Sequence, residues 1–127
     1  MTVPAKPLRC FIVDDNPEFI AAAANLLERD GIVVVGATTT ISEALRAVER
    51  ARPDVTLIDV DLGGESGFDL AAQLHERASP EAQSVLILVS AHDEEEFADL
   101  IAASPAVGFI PKLALSACVI RYLVAWN

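Results

Sequence analysis

Basic residues are scarce in this chain: nine lysines and arginines stand against nineteen aspartates and glutamates, giving a formal charge of −10. A domain that grips nucleic acid needs a basic face for the phosphates, so this balance argues against direct nucleic-acid binding. Cysteine is nearly absent as well. Cys10 and Cys118 have no metal-like spacing and both fall inside apolar patterns, so both are expected as reduced, buried small hydrophobes. Although 53% of the residues are hydrophobic, no apolar run reaches the length of a membrane span. The opening MTVPAKPL lacks the apolar core of a signal peptide. Internal repeats and low-complexity segments are missing too. What remains is a chain of 127 residues that reads as one soluble, cytoplasmic domain, long enough to bury a core without disulfides or metals.

Residues 1–7 carry two prolines and read as a loose tail, with a single domain over 8–127. Arg9–Val13 is an apolar strand that ends in Asp14 and Asp15. Asn16-Pro17 follows as an N-cap with proline at the first helical position. That helix sets Phe19, Ala23, Leu26 and Leu27 on one face and stops at Gly31. Ile32–Val35 reads as a second strand. Thr40 and Glu43 form a capping box for a helix carrying Ala44, Leu45 and Val48, which ends before Pro53. Val55, Leu57 and Ile58 make a third strand delivering Asp59, followed by a loop with Gly63 and Gly64. Ser66 with Asp69 caps a third helix through Leu70 and Leu74. Ser84–Val89 is a fourth strand running into Ser90. Asp93 with Glu96 caps a fourth helix carrying Phe97, Leu100 and Ile101. Val107–Ile110 is the fifth strand, followed by Pro111 and Lys112. The last helix spaces Leu115, Cys118, Val119, Tyr122 and Leu123 as a core-facing stripe.

Five apolar strands alternating with amphipathic helices imply a (βα)5 α/β fold, a parallel sheet covered on both faces. In such a sheet every strand's carboxyl end lies along one edge, where ligands collect. Four of the five strands then bring polar groups to that edge: Asp14 and Asp15, Asp59, Ser90, and Lys112. Clustered carboxylates repel one another, and a divalent cation relieves them most cheaply; oxygen-only ligation with room for water suits Mg²⁺. A carboxylate beside that cation can attack a phosphoryl group and become an aspartyl phosphate. The charge on the phosphoryl oxygens then needs donors, and Lys112 and Ser90 are in place to supply them.

Taken one at a time these residues are ordinary. Asp14-Asp15 reads as a strand-to-helix cap, though Asn16 already fills that role. Lys112 reads as a surface lysine, Phe109 as a core aromatic and His92 as a loop histidine, while the place of Asp59 straight after Val55–Ile58 argues against a solvated loop carboxylate. The run Asp93–Glu96 reads as a solvated complement to a helix dipole. It is the set in register that carries weight. With its acidic pair, Asp59 within LIDVDLGGESG, Ser90-Ala91 after VLILV and Lys112 within GFIPK, the chain resembles a two-component response-regulator receiver domain from about residue 8 onward.

The resemblance implies a doubly wound, flavodoxin-like sandwich with strand order 2-1-3-4-5. It implies Asp59 as phosphoacceptor, and Mg²⁺ held by Asp14, Asp15, Asp59 and the backbone carbonyl of Asp61. Ser90 and Lys112 are implied as the phosphoryl-binding pair, and Ser90 and Phe109 as the switch. Asp61 and His92 occupy the two positions that tune phosphoryl lifetime. The implied partners are a sensor histidine kinase or phosphotransfer protein, with a downstream effector or a second copy of the chain on the face of the fourth helix, fifth strand and fifth helix. Such a domain catalyses its own modification and is not a turnover enzyme.

Some positions depart from the family pattern. Gly63 stands where proline is common, Leu113 stands where many receivers have proline, and Pro111 precedes the lysine, as in receivers attached to helix-turn-helix effectors. Phe109 has no hydroxyl, which confines its switching to ring packing. Two other functions are weighed against this one. Asp59-Val60-Asp61 also resembles the nucleophile and acid/base pair of Mg²⁺-dependent haloacid-dehalogenase-like phosphatases, though there the motif usually sits on the first strand with threonine where Gly63 stands here. A receiver-like binding module that works without phosphorylation is the third. The pattern fits both a single-domain regulator acting by protein contact and the receiver of a longer regulator, and GFIPK leans toward the second.

Overall fold

A computed structural model of the chain describes residues 6–126. Residues 1–5 of the expected tail, and Asn127, lie outside the described residues; Lys6 and Pro7 are exposed and without regular structure. The strands are β1 (Arg9–Val13), β2 (Val33–Thr38), β3 (Val55–Asp59), β4 (Val85–Ser90) and β5 (Gly108–Pro111). The helices are α1 (Pro17–Arg29), α2 (Ile41–Ala51), α3 (Gly67–Arg77), α4 (Ala98–Ala103) and α5 (Ala117–Ala125). All strand pairs in the sheet are parallel and the order is β2-β1-β3-β4-β5, the order expected.

Two apolar layers sandwich the sheet, because successive strand residues point to opposite faces. Cys10, Ile12, Val55, Leu57, Ile87 and Val89 face α1 and α5, where Ala23, Leu27 and Ile120 meet them. Phe11, Val13, Ile58, Leu86 and Leu88 face the other way, against Leu45, Val48, Leu70 and Leu74 of α2 and α3. β3 is buried at every residue, as a central strand covered on both sides must be. Expected caps are in place. The Asn16 side chain accepts from the N–H groups of Glu18 and Phe19, Thr40 Oγ1 from Glu43 N–H, and Ser66 Oγ from Phe68 N–H.

Four local expectations need correction. β2 begins at Val33 and runs on to Thr38, beyond the expected Val35. Its register skips Val35, so that Gly36, without a side chain, lies under the Phe11 ring. The fourth helix is not capped by Asp93. A 3-10 turn (Glu94–Phe97) carries Phe97 inward onto Phe68 and Phe109, and only Ala98–Ala103 is α-helical, with Leu100 exposed. The consecutive glutamates give no apolar stripe on which an α-turn could pack.

The stripe of α5 is rotated from the one expected. Ser116 is its N-cap, and Ala117 and Ile120 are buried, while Tyr122 and Cys118 are exposed and Leu115 is buried ahead of the helix. The segment ACVIRYLVA is apolar most of the way round, so periodicity alone could not choose its face. Finally, the glycine loop after β3 is a small antiparallel ribbon, Asp61–Leu62 paired with Glu65–Ser66. Gly63 and Gly64 both have positive φ at its tip, the conformation that favours glycine in a two-residue hairpin.

Gly67 joins this ribbon to α3 and determines how closely the helix approaches the end of β3. Its N–H donates to Val60 O at 2.9 Å, and a Cβ there would collide with the Asp59 carbonyl and come within 2.8 Å of Val60 Cα. Both obstacles are backbone, which cannot rotate away. Gly67→Ala is therefore expected to cost about 3 kcal/mol or more. Gly64→Ala, with no atom within 4 Å but φ of +97°, is expected to cost only about 1–2 kcal/mol of strain. Urea denaturation of the two variants checks the order.

Candidate functional site

At the carboxyl edge of the sheet, four neighbouring strands converge on one small volume. β1 hands over Asp14, which is wholly buried, and then the exposed Asp15. β3 ends on Asp59, only 5% exposed, and β4 on Ser90, 1% exposed. β5 leads into Lys112, whose side chain is 17% exposed. A carboxylate oxygen from each of Asp14, Asp15 and Asp59 lies within 4.8 Å of the others. The Lys112 ammonium completes the group, 2.8 Å from Asp14 Oδ2 and 3.2 Å from Asp59 Oδ2.

Each side chain is fixed by its local backbone. Asp14 Oδ1 accepts from Asn16 N–H at 2.8 Å, so this aspartate does serve the strand-to-helix turn, but with one oxygen only. Asp14 Oδ2 is buried with no aligned hydrogen-bond donor; Lys112 meets it as a close ion pair. Asp59 Oδ1 accepts from the N–H of Asp61 at 3.2 Å. Ser90 Oγ accepts from His92 N–H at 2.9 Å, which leaves its own proton free to donate. Gly63 packs over Asp15, where a Cβ would stand 3.3 Å from Asp15 Oδ2. Its φ of +64° is closed to proline, so the departure from the family pattern at this position follows from the ribbon.

Burial leaves Asp59 poor in water and pushes its pKa up from 3.8 to about 6. The Asp61 N–H opposes this, the Asp14 charge adds to it, and Lys112 opposes it. For Lys112, burial acts to lower the pKa, but Asp14 and Asp59 outweigh it and hold the ammonium above its ordinary value. The pocket thus contains a carboxylate at the margin of ionisation near neutral pH and a lysine that stays charged.

The other expected residues lie around the rim. The Asp61 side chain is exposed and only its backbone N–H meets Asp59, an arrangement that does not make an acid/base pair of the two. His92 is exposed, 3.8 Å from Glu96 and edge-on to Phe97. Phe109 is half-buried, its ring centroid 6.5 Å from that of Phe97, which in turn contacts Phe68 at 5.8 Å. Sequence reasoning missed two members of the neighbourhood. Phe19 was read only as a core residue of α1, yet its ring lies under the Lys112 ammonium, 4.4 Å from Nζ to the centroid. Phe97 was read as a helix residue, and it links α3 to β5. Neither role has a signature in spacing.

An open, doubly wound parallel sheet with an acidic, lysine-bridged pocket at its strand ends defines a phosphoacceptor signalling domain of flavodoxin-like fold. The comparisons agree. A model of the response regulator receiver domain matches residues 10–119, and the chain belongs to that family, whose members act as phosphorylation-controlled switches in two-component signalling and bind Mg²⁺ at the acidic pocket. It is 32% identical over 105 residues to the DNA-binding transcriptional activator EvgA of Escherichia coli, covering 83% of this chain and 50% of that protein. It is 35% identical over 106 residues to the DNA-binding transcriptional activator DevR/DosR of Mycobacterium tuberculosis, covering 83% and 48%. The chain thus spans about half the length of these curated relatives.

Among solved structures, the receiver domain of the putative response regulator NarL from Mycobacterium tuberculosis superposes with a TM-score of 0.84 at 24% identity, covering 97% of this chain and 100% of that one. A LuxR-family two-component response regulator from Aurantimonas superposes with a TM-score of 0.80 at 26% identity, covering 95% and 87%. Among the described residues, no helix is long and apolar enough to cross a membrane.

The raised pKa of Asp59 carries a pH signature. Because the folded value, about 6, lies above 3.8, the native protein holds this proton to higher pH than the unfolded chain does. The cost of ionising Asp59 is absent below pH 3.8, grows as pH rises, and is complete above about 6, where it is on the order of 3 kcal/mol. Asp59→Asn removes that cost. In buffer without divalent cations it is expected to be more stable than wild type by about 1–3 kcal/mol at pH 7, and the gain should vanish near pH 4. Urea unfolding at the two pH values tests this.

Proposed function

We propose that this domain, over residues 8–127, is switched by transfer of a phosphoryl group to Asp59. The observation that carries the reading is the convergence of a buried Asp59 with two further carboxylates and one lysine at a single strand end. The trio Asp14, Asp15 and Asp59 offers oxygen ligands, and Asp14 Oδ2 is a buried acceptor without an aligned donor, so the pocket fits a hard divalent cation such as Mg²⁺. Asp14, Asp15, Asp59 and the backbone carbonyl of Asp61 would hold it, and it would supply charge neutralisation for the incoming phosphoryl oxygens.

In the transfer, one Asp59 oxygen forms a bond to phosphorus as the bond from phosphorus to the donor breaks, and the bonding pair leaves with the donor. When the donor is a phosphohistidine, the leaving group is an imidazole. Near-neutral pH keeps a useful fraction of Asp59 in the nucleophilic, ionised form. Ser90, whose hydroxyl proton is uncommitted, and Lys112 donate to the phosphoryl oxygens. Drawing Ser90 toward the phosphoryl group moves the loop that carries His92. Phe97 follows that loop and touches Phe109, giving the switch aromatic a packing partner through which to respond. Asp61 and His92, exposed at the mouth, govern the access of water to the phosphoryl group.

The domain catalyses its own phosphorylation and dephosphorylation and turns over no separate substrate. A sensor histidine kinase or phosphotransfer protein supplies the phosphoryl group in the cytoplasm. The face of α4, β5 and α5 passes the change to an effector or a second copy of the chain. The length of the DNA-binding relatives favours a DNA-binding output outside the residues present here, since this domain carries a formal charge of −10.

Intact-mass measurement after incubation with Mg²⁺ and a small-molecule phosphodonor tests the assignment. Wild type is expected to gain one phosphoryl group, while Asp59→Ala, and wild type in excess chelator, gain none. Modification of Asp59→Ala to the same extent would place the acceptor elsewhere.

A further inference from the structure

The ammonium of Lys112 has three close neighbours. Asp14 Oδ2 at 2.8 Å and Asp59 Oδ2 at 3.2 Å neutralise it, and the face of Phe19 closes on it from α1, 4.4 Å from the ring centroid. Phe19 is half-buried in the first turn of α1, where the Asn16 cap accepts its backbone N–H at 3.4 Å, and its ring packs on the layer between α1 and the sheet. That packing favours the rotamer that holds the ring against Lys112. The negative face of an aromatic ring attracts a cation, and more strongly where water is excluded, as it largely is around a lysine side chain that is 17% exposed.

We propose that Phe19 is a positioning residue for the phosphoacceptor pocket. Its ring braces Lys112 against Asp14 in the resting state and so sets how strongly a divalent cation must compete for Asp14 Oδ2. The proposal rests on the reading of the pocket as a metal site. Among the described residues, Asp14 Oδ2 is within contact distance of one side-chain cation, the lysine. A divalent ion ligated by the same oxygen and an ammonium 2.8 Å from it would repel each other, so occupancy by one displaces the other. Whatever steadies the lysine there opposes metal binding. Phe19 does so without contributing any ligand, and an aliphatic residue of similar bulk would fill the same space without attracting the ammonium.

The test is a cycle of four proteins: wild type, Phe19→Leu, Lys112→Met and the double variant, with Phe19→Tyr as the conservative replacement. Mg²⁺ affinity is read by calorimetry. Phe19→Leu is expected to tighten Mg²⁺ binding by about two- to five-fold. Phe19→Tyr should return it to the wild-type value, and Phe19→Leu should have no effect once Lys112 is methionine. A ring that merely fills space would give an unchanged or weakened affinity for Phe19→Leu, or the same shift with and without Lys112, and either result overturns the proposal.

The same four proteins are unfolded by urea in chelator. Non-additive changes in stability are expected, and additive ones overturn the brace. Failure of wild type to take up Mg²⁺ would overturn the reading of the pocket as a metal site, while the urea cycle, which contains no metal, still reports on the contact between Phe19 and Lys112 by itself.

Discussion

Two carboxylates almost out of water, Asp14 and Asp59, share a single ammonium group, and much of the molecule is arranged around that unequal pairing. A buried charge is tolerated only when it is met by an opposite charge or by hydrogen bonds. Here the partner comes from the far end of the chain: Lys112 is delivered by β5, the last strand, while Asp14 follows the first. Closing that distance requires the whole parallel sheet to assemble. The fold and the pocket are therefore one cooperative object. The pairing is also incomplete, with three acids and one lysine, and this residual negative charge makes the pocket fit for a further cation.

The surroundings keep Asp59, the proposed acceptor, close to ionisation. Full neutralisation would make Asp59 a poor nucleophile, and full burial would keep it protonated. Its N–H partner from Asp61 and the nearby lysine restrain an upward displacement that burial alone would carry further. Gly67 contributes from the backbone side, since only a residue without Cβ lets α3 start against the Asp59 carbonyl. Above the pocket, Ser90, His92, Phe97, Phe109 and Phe68 form a connected path from the carboxyl edge of the sheet to the faces of α3 and β5. A small displacement of the Ser90 loop can reach the surface through that path, because packed aromatic rings do not compress.

Strand identity, the acidic pair, Asp59, Ser90 and Lys112 were all legible in the sequence by itself, while the strand order followed from the family resemblance. Apolar runs ended by polar residues mark parallel strands and their carboxyl ends, and parallel strands place those ends on one edge. Caps were legible for the same local reason: Asn16, Thr40 and Ser66 act on backbone groups only a few residues away. Family resemblance rested on these features, and the match over residues 10–119 agrees with it.

What the tertiary structure alone decided is whatever depends on which side chains meet across the sheet. The face of α5 was one such choice, since a helix apolar most of the way round is oriented by its neighbours, and Ile120 rather than Tyr122 found the core. Another was the replacement of an expected α-turn by a 3-10 turn at Glu94–Phe97, made for the sake of one ring packing on two others. The extension of β2 past Val35 needed Phe11 above Gly36. The position of Phe19 under Lys112 joins residues ninety-three apart in the sequence. Local propensity acts over a few residues and so can be read along the chain; packing acts over a few ångströms and becomes visible only when the chain has closed on itself.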